Sequence, residues 1–262
     1  MSPGFQMTFG ADPGAVARAV EMFAAFAETH ELPTAVRRSI QVALDEFVYN
    51  PIVYGFPQLA PGLGVGEVRV ELEGGQVRVT ITDNGPPFDP LAYQDPDTAL
   101  SVEERGIGGL GIHLVRKMMD DVCYERRGDR NVVVLVKRLG EGTKAGPQGG
   151  KTMDVSTRTA EGVTIIAFAG NLDSNTSPQA QQAIDALLAG GAQKVVVDFS
   201  ALDYVSSAGL RVLLSAAKRL QGPGKALRLF GLNETVREVF EISGFATILQ
   251  VRGTEQEAVE GL

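Results

Sequence analysis

The chain has 262 residues, a net charge of −8 and 44% hydrophobic residues. That length suits two ordinary domains, and the acidic balance argues against a general binder of nucleic acid or anionic membrane. No apolar run approaches a membrane span, and the opening MSPGFQMTFGADPG lacks the basic and apolar regions of a signal peptide, so a cytoplasmic location is expected. The single cysteine, Cys123, supports neither a disulfide framework nor a zinc cluster and is expected to be a small buried hydrophobe.

In chain order, Asp12 and Pro13 form an N-cap and first-turn pair, and Val16, Val20, Phe23 and Ala27 follow at helical spacing. A second helix starts at Pro33 and runs through Val36, Ile40, Leu44 and Phe47. Val68, Val70 and Leu72 alternate with polar residues, Gly74-Gly75 turns the chain, and Val77, Val79 and Ile81 alternate again, which predicts a hairpin. Residues 104–122 place Gly106, Gly108, Gly109 and Gly111 directly before Ile112, Val115, Met119 and Val122, one face of a further helix. A strand over 131–139 completes this half. Hairpin strands with segregated helices predict an α+β two-layer sandwich with a mostly antiparallel sheet.

Residues 140–151, GEGTKAGPQGGK, contain five glycines and read as a flexible linker. The expected division is therefore 1–139, linker 140–151, and 152–262. Beyond the linker a hairpin is predicted across Glu161-Gly162. It is followed by a helix from Ser177-Pro178 to Gly190-Gly191, a buried strand at Lys194–Ser200 and a helix from about Ala208 to Gln221. A strand (225–231), a helix (233–243), a strand (246–251) and a short acidic helix end the chain. This alternation predicts an α/β domain with partly parallel pairing.

Three elements of the first half carry chemistry. Glu46 and Asn50, at i and i+4, share a helix face. A carboxylate there can take a hydroxyl proton, and an amide oxygen suits Mg2+. Asp83-Asn-Gly85 follows a strand; its carboxylate could accept from an exocyclic amine while the glycine lets a flat ring approach. The glycine cluster at 106–111 precedes a helix start, where unpaired N–H groups and the dipole suit phosphate. In order, these resemble the N, G1 and G2 boxes of the GHKL (Bergerat-fold) ATPases over roughly residues 10–139, and within them the anti-sigma-factor serine kinases. The resemblance implies Glu46 as general base, Asn50 as Mg2+ ligand, and Asp83 as the adenine reader with Gly85 close to the ring. Gly106, Gly108, Gly109 and Gly111 would form the phosphate lid, and the cofactors would be ATP and Mg2+.

Two departures stand out. Pro51 directly follows Asn50 and is expected to disturb helical geometry there. Asn131-Val132 replaces the Gly-Thr usual in the last strand. His30, in THELP, sits only 16 residues before Glu46, too few for the helical hairpin that carries a phosphoacceptor histidine. It is read as a surface residue at a helix end, and His113 as positional.

In the second half, DYVSSAGLRVLL (203–214) resembles the central signature of STAS domains, the fold of anti-sigma-factor antagonists. Gly170-Asn171-Leu172-Asp173 and Val239–Gly244 resemble its other motifs, and the likeness spans about 153–260. The family's phosphoacceptor aligns with Ser207, with Ser206 as the neighbouring alternative and Ala208 in place of a second hydroxyl.

The combined resemblance implies an ATP-dependent anti-sigma-type serine kinase fused to its STAS substrate, acting in bacterial partner switching. Its partners would be a sigma factor or other regulatory protein, STAS or anti-sigma proteins in trans, or a second copy in a homodimer. A twelve-residue linker spans roughly 20 Å r.m.s., which places one domain at an order-of-millimolar concentration around the other. The alternative is a nucleotide-sensing scaffold without kinase activity.

Overall fold

The computed structural model describes residues 2–12, 14–92, 109–140, 153–160 and 162–262, which form two compact units.

The first unit opens with strand β1 (Gly4–Phe9), in which Phe5, Met7 and Phe9 are more covered than the exposed residues between them. Helix α1 (Ala15–Thr29) buries Val16, Ala19, Phe23, Phe26 and Ala27. Its N-cap is Gly14, two residues later than expected. Asp12 instead forms the turn ahead of the helix, accepting the Gly14 N–H on its side chain at 2.9 Å and the Ala15 N–H on its carbonyl at 3.0 Å. The paired expectation for Pro13 lies outside the described residues. Helix α2 (Thr34–Asn50) follows Pro33 and buries Val36, Ile40, Ala43, Leu44 and Phe47.

Pro51 does not push Asn50 out of helical geometry. Asn50 keeps φ −56, ψ −51, Pro51 sits at φ −62, ψ −35, and residues Pro51–Gly55 form one π-helical turn. A widened turn lets a helix continue past a residue that has no N–H and crowds the preceding turn.

Strands β2 (Gly66–Glu73) and β3 (Gln76–Asp83) pair antiparallel across Gly74 and Gly75, at φ +58 and +73, the left-handed pair that a two-residue hairpin turn demands. Helix α3 spans Leu110–Met118. Val122, expected on its face, lies instead on β4 (Asp121–Arg127). Strand β5 (Arg130–Arg138) completes an antiparallel sheet of order β1-β2-β3-β5-β4, with α2 packed on β3 and β5. Cys123 is exposed, contrary to expectation. It falls on the outward register of an edge strand, with Sγ 3.7 Å from an Asp121 carboxylate oxygen.

The linker expected at 140–151 lies, Gly140 apart, outside the described residues.

The second unit runs β6 (Asp154–Ala160), β7 (Val163–Leu172), α4 (Ser177–Ala189), β8 (Lys194–Val205), α5 (Ser207–Arg219), β9 (Ala226–Phe230), α6 (Glu234–Ile242), α7 (Phe245–Ile248), β10 (Gln250–Val251) and α8 (Glu255–Val259). The sheet order is β10-β9-β8-β7-β6; only the β6–β7 hairpin is antiparallel. Of the strand expected over 246–251, residues 246–248 belong to the helical turn α7 and only Gln250–Val251 form a strand, β10. Gly244, at φ +68, turns the chain so that Phe245 is buried and packs on Phe240 at a centroid distance of 6.0 Å. Phe240 in turn meets Phe199, and Phe199 meets Phe168, so one aromatic chain links α7, α6, β8 and β7.

Gly231 holds φ +78, and a Cβ there would lie 2.6 Å from the Ser200 nitrogen. Gly231→Ala is expected to destabilise this unit by about 2–4 kcal/mol, from left-handed strain plus overpacking. Gly224→Ala, at φ +77 with no atom closer than 4.0 Å, should cost only the backbone part, about 1 kcal/mol. Urea unfolding of the full chain, followed through the transition of this unit, separates the two. Equal midpoints would refute the packing argument.

Candidate functional site

Glu46 is 4% exposed. Its carboxylate lies directly against the backbone of Gly111, at the start of α3; any Cβ on Gly111 would overlap it. The first and third boxes therefore meet, and Gly111 is a position where only glycine leaves room. Asn50 stands one turn beyond Glu46, half-buried, at the last position of α2. The π turn that follows brings Gly55 against Gly85, where a Cβ on Gly85 would come within 3.5 Å of the Gly55 Cα. Gly109 takes φ +80, while Gly106 and Gly108 lie outside the described residues.

Asp83 ends β3. Its Oδ1 accepts the Gly85 N–H at 2.7 Å and a hydrogen bond from Asn131 Nδ2 at 2.9 Å. Burial pushes its carboxyl above the ordinary value of 3.8, opposed by those two hydrogen bonds and by the nearby Arg126 charge.

The residue that organises this corner is Asn131, 4% exposed at the start of β5. It pairs with Asp83 across β3–β5 and with Arg126 across β4–β5, so the three stand in one row of the sheet. Its Oδ1 accepts from Arg126 Nη1 at 2.9 Å, the Tyr124 hydroxyl at 3.0 Å and the Phe88 N–H at 3.2 Å. Its Nδ2 donates to Asp83 and, at 2.9 Å, to the Pro86 carbonyl. Arg126 also donates to the Gly85 carbonyl at 2.9 Å. Asn84 ties the same turn to the loop before β2, accepting from the Val65 N–H at 2.8 Å and donating to the Leu63 carbonyl at 2.7 Å. In the sequence Asn131 stands out only as a departure, and nothing local marks Arg126 or Tyr124.

In the second unit, Ser206 is the N-cap of α5, its Oγ accepting the Gly209 N–H at 3.4 Å. The Ser206 N–H donates to the Leu172 carbonyl at 2.9 Å, and Gly209 is pressed on Leu172, so the Gly170–Asp173 stretch at the end of β7 and the serine signature form one feature. Ser206 is 1% exposed and Ser207 is fully buried.

Residues 9–137 match the histidine kinase-like ATPase domain family, and residues 154–258 match the STAS domain family. BtrV of Bordetella bronchiseptica, named as an anti-sigma factor antagonist, is 39% identical over 106 residues, which cover 40% of this chain and 91% of BtrV. The chain belongs to the STAS anti-sigma factor antagonist family, with a histidine kinase-like ATPase domain fused ahead of the STAS domain. The anti-sigma-B factor antagonist of Listeria monocytogenes is 27% identical over 106 residues, covering 40% of this chain and 92% of that protein. Among solved structures, an anti-sigma factor antagonist from Mycobacterium paratuberculosis is similar to the STAS domain at 23% identity, with a TM-score of 0.39 over 41% of this chain and 92% of that one.

Glu46, Asn50, Gly55, Gly85, Asp83 and Gly111 thus belong to one ATPase domain, while Ser206 and Ser207 belong to the STAS domain. His30, at the C-cap of α1, is half-buried with its ring 4.5 Å from that of Phe26. His113 is buried within α3. No helix among the described residues is long and apolar enough to cross a membrane.

Proposed function

We propose that the ATPase domain binds Mg-ATP and acts as an anti-sigma-type serine kinase on a STAS serine, Ser207 of this chain or its counterpart in another protein. The observation that carries this reading is the contact between the Glu46 carboxylate and Gly111. It sets a proton acceptor beside the loop expected to hold phosphate. The donor set fits the nucleotide. Asp83 engages the protein through Oδ1, which leaves Oδ2 as an acceptor for an exocyclic amine. Gly85 removes a side chain where a flat ring would lie, and Asn50 offers the amide oxygen that Mg2+ prefers. Bound Mg-ATP would supply a transferable phosphoryl group. Glu46 would take the proton of the attacking serine hydroxyl, Gly111 would leave room for that carboxylate, and Gly109 would keep the backbone open to the phosphates.

A phosphate on Ser207 would add about two negative charges at the start of α5 and change which partner the STAS surface accepts. Its release or retention of partners is the switch, with a sigma factor or other regulatory protein downstream. Residues 140–151 would act as the tether between domains 1–139 and 152–262.

The burial of Ser206 and Ser207 favours a second reading, in which the STAS domain binds its partner unphosphorylated and the chain is a nucleotide-sensing scaffold. Intact mass measurement of the full chain after Mg-ATP incubation, over a range of protein concentrations, decides between them. A gain of one phosphoryl group that vanishes in Ser207→Ala is expected. A concentration-independent rate marks reaction within one chain. Tight ATP binding with no phosphate on this chain or on an added STAS protein would leave only the scaffold.

A further inference from the structure

We infer that Asn131 is a positioning residue that sets both the place and the charge of Asp83, through a hydrogen-bonded row running from β3 to the edge strand β4. The inference rests on the reading of Asp83 as the group that recognises the nucleotide base.

The two ends of the Asn131 amide do different work. Its oxygen gathers three donors, Phe88 N–H, the Tyr124 hydroxyl and Arg126 Nη1. These fasten the loop after β3 to β4. Its nitrogen points the other way, to Asp83 Oδ1 and the Pro86 carbonyl. An amide side chain presents an acceptor oxygen and a donor nitrogen side by side at that reach. A carboxylate of the same shape would keep the three accepted bonds and lose the donation, so the halves can be tested separately.

Donation to Asp83 has two consequences. It fixes Oδ1, already bound to the Gly85 N–H, and so orients Oδ2 away from the row. It also favours the ionised carboxylate against the cost of burial. The other charge acting on Asp83 is Arg126, from β4, which reaches it through the Gly85 carbonyl and Asn131. Tyr124 adds a neutral hydroxyl from the same strand. Helix α2, behind β3 and β5, carries the buried acids Asp45 and Glu46. One amide and one guanidinium, both on strands that carry none of the three motif boxes, therefore oppose the upward push of burial on the base-reading acceptor.

Asn131→Asp tests the donor half. With the 2.9 Å Asn131–Asp83 contact becoming a pair of carboxyls, the two would share a proton. The Asp83 carboxyl titration, followed by carbon-13 NMR on the nucleotide-free full chain, should move upward by about one to three pH units. The pH midpoint of ATP affinity, measured by calorimetry, should move with it. Asn131→Ser, which keeps a donor hydroxyl but is shorter, should move both less. An Asp83 titration that does not change in Asn131→Asp, or an ATP affinity lowered by the same factor at every pH, would overturn the inference. If Asn131→Asp fails to fold, the Asn131→Ser titration decides in the same way. Asp83→Asn separates the underlying reading: unchanged ATP affinity in that variant removes Asp83 from the base site and the inference with it. A large loss there beside an unshifted Asn131→Asp profile removes only the inference.

Discussion

Replacing Glu46 by Gln is expected, on the proposed kinase activity, to slow phosphoryl transfer by about 100- to 10,000-fold, the usual span for a positioned general base, while ATP still binds. The substitution is close to isosteric, which matters because the side chain is 4% exposed and lies against Gly111. A larger change would displace the loop, and a smaller one would open a void. Glutamine keeps the contact and removes only the proton acceptor. Single-turnover transfer measured at saturating Mg-ATP isolates that step from binding. An unchanged rate would take Glu46 out of the proton path. A proportionate loss of ATP affinity instead would mean that the residue holds the nucleotide lid and does not move a proton.

Asp83→Asn is expected to act in opposite directions on binding and on stability. Loss of the proposed charge-assisted hydrogen bond to the base would cost about 1.5–3 kcal/mol, or about 10- to 150-fold in ATP affinity. The nucleotide-free protein, in contrast, should be no less stable near neutrality. Burial raises the Asp83 carboxyl above 3.8, so between that value and its raised one the folded chain holds more protons than the unfolded chain. Stability from this group is therefore full below 3.8 and is lost as pH rises through the raised value. Asparagine carries no such charge, and the dependence in that window should flatten. ATP affinity of the wild type should run the other way, falling as pH drops through the same window, because the acceptor becomes protonated. Calorimetry and thermal melts at matched pH values test both. A variant that binds ATP as the wild type does would remove Asp83 from the base site.

Much of both folds is legible locally. The β2–β3 hairpin, α2, the β6–β7 hairpin and α5 follow from periodicity and from glycine or capping residues at their ends. Strand β1 is not legible although Phe5, Met7 and Phe9 alternate, because so short an alternation without flanking turn signals does not mark a strand. The stretch after Gly244 was misjudged because Phe, Ile and Leu suit a buried helical turn as well as a strand. Cys123 depended on which edge of the sheet β4 occupies, and no local pattern encodes strand order. The same holds for the site. Glu46 and Asn50 announce themselves by spacing, and Asp83-Asn-Gly85 by its turn. Asn131 and Arg126 gain their meaning from register across β3, β5 and β4, which aligns them in one row with Asp83, 48 and 43 positions earlier in the chain, only after the sheet has formed.

The π turn after Asn50 is a spacer whose residue count matters more than its side chains. Its five residues let α2 run past Pro51 and still deliver Gly55 onto Gly85. Val53 and Tyr54 are exposed in that turn, the Tyr54 ring standing edge-on to that of Tyr49. The length of the turn is constrained, because one residue fewer would rotate Gly55 away from Gly85 by roughly a quarter-turn of helix. Insertions and deletions here would act on nucleotide binding without touching any residue that contacts the nucleotide.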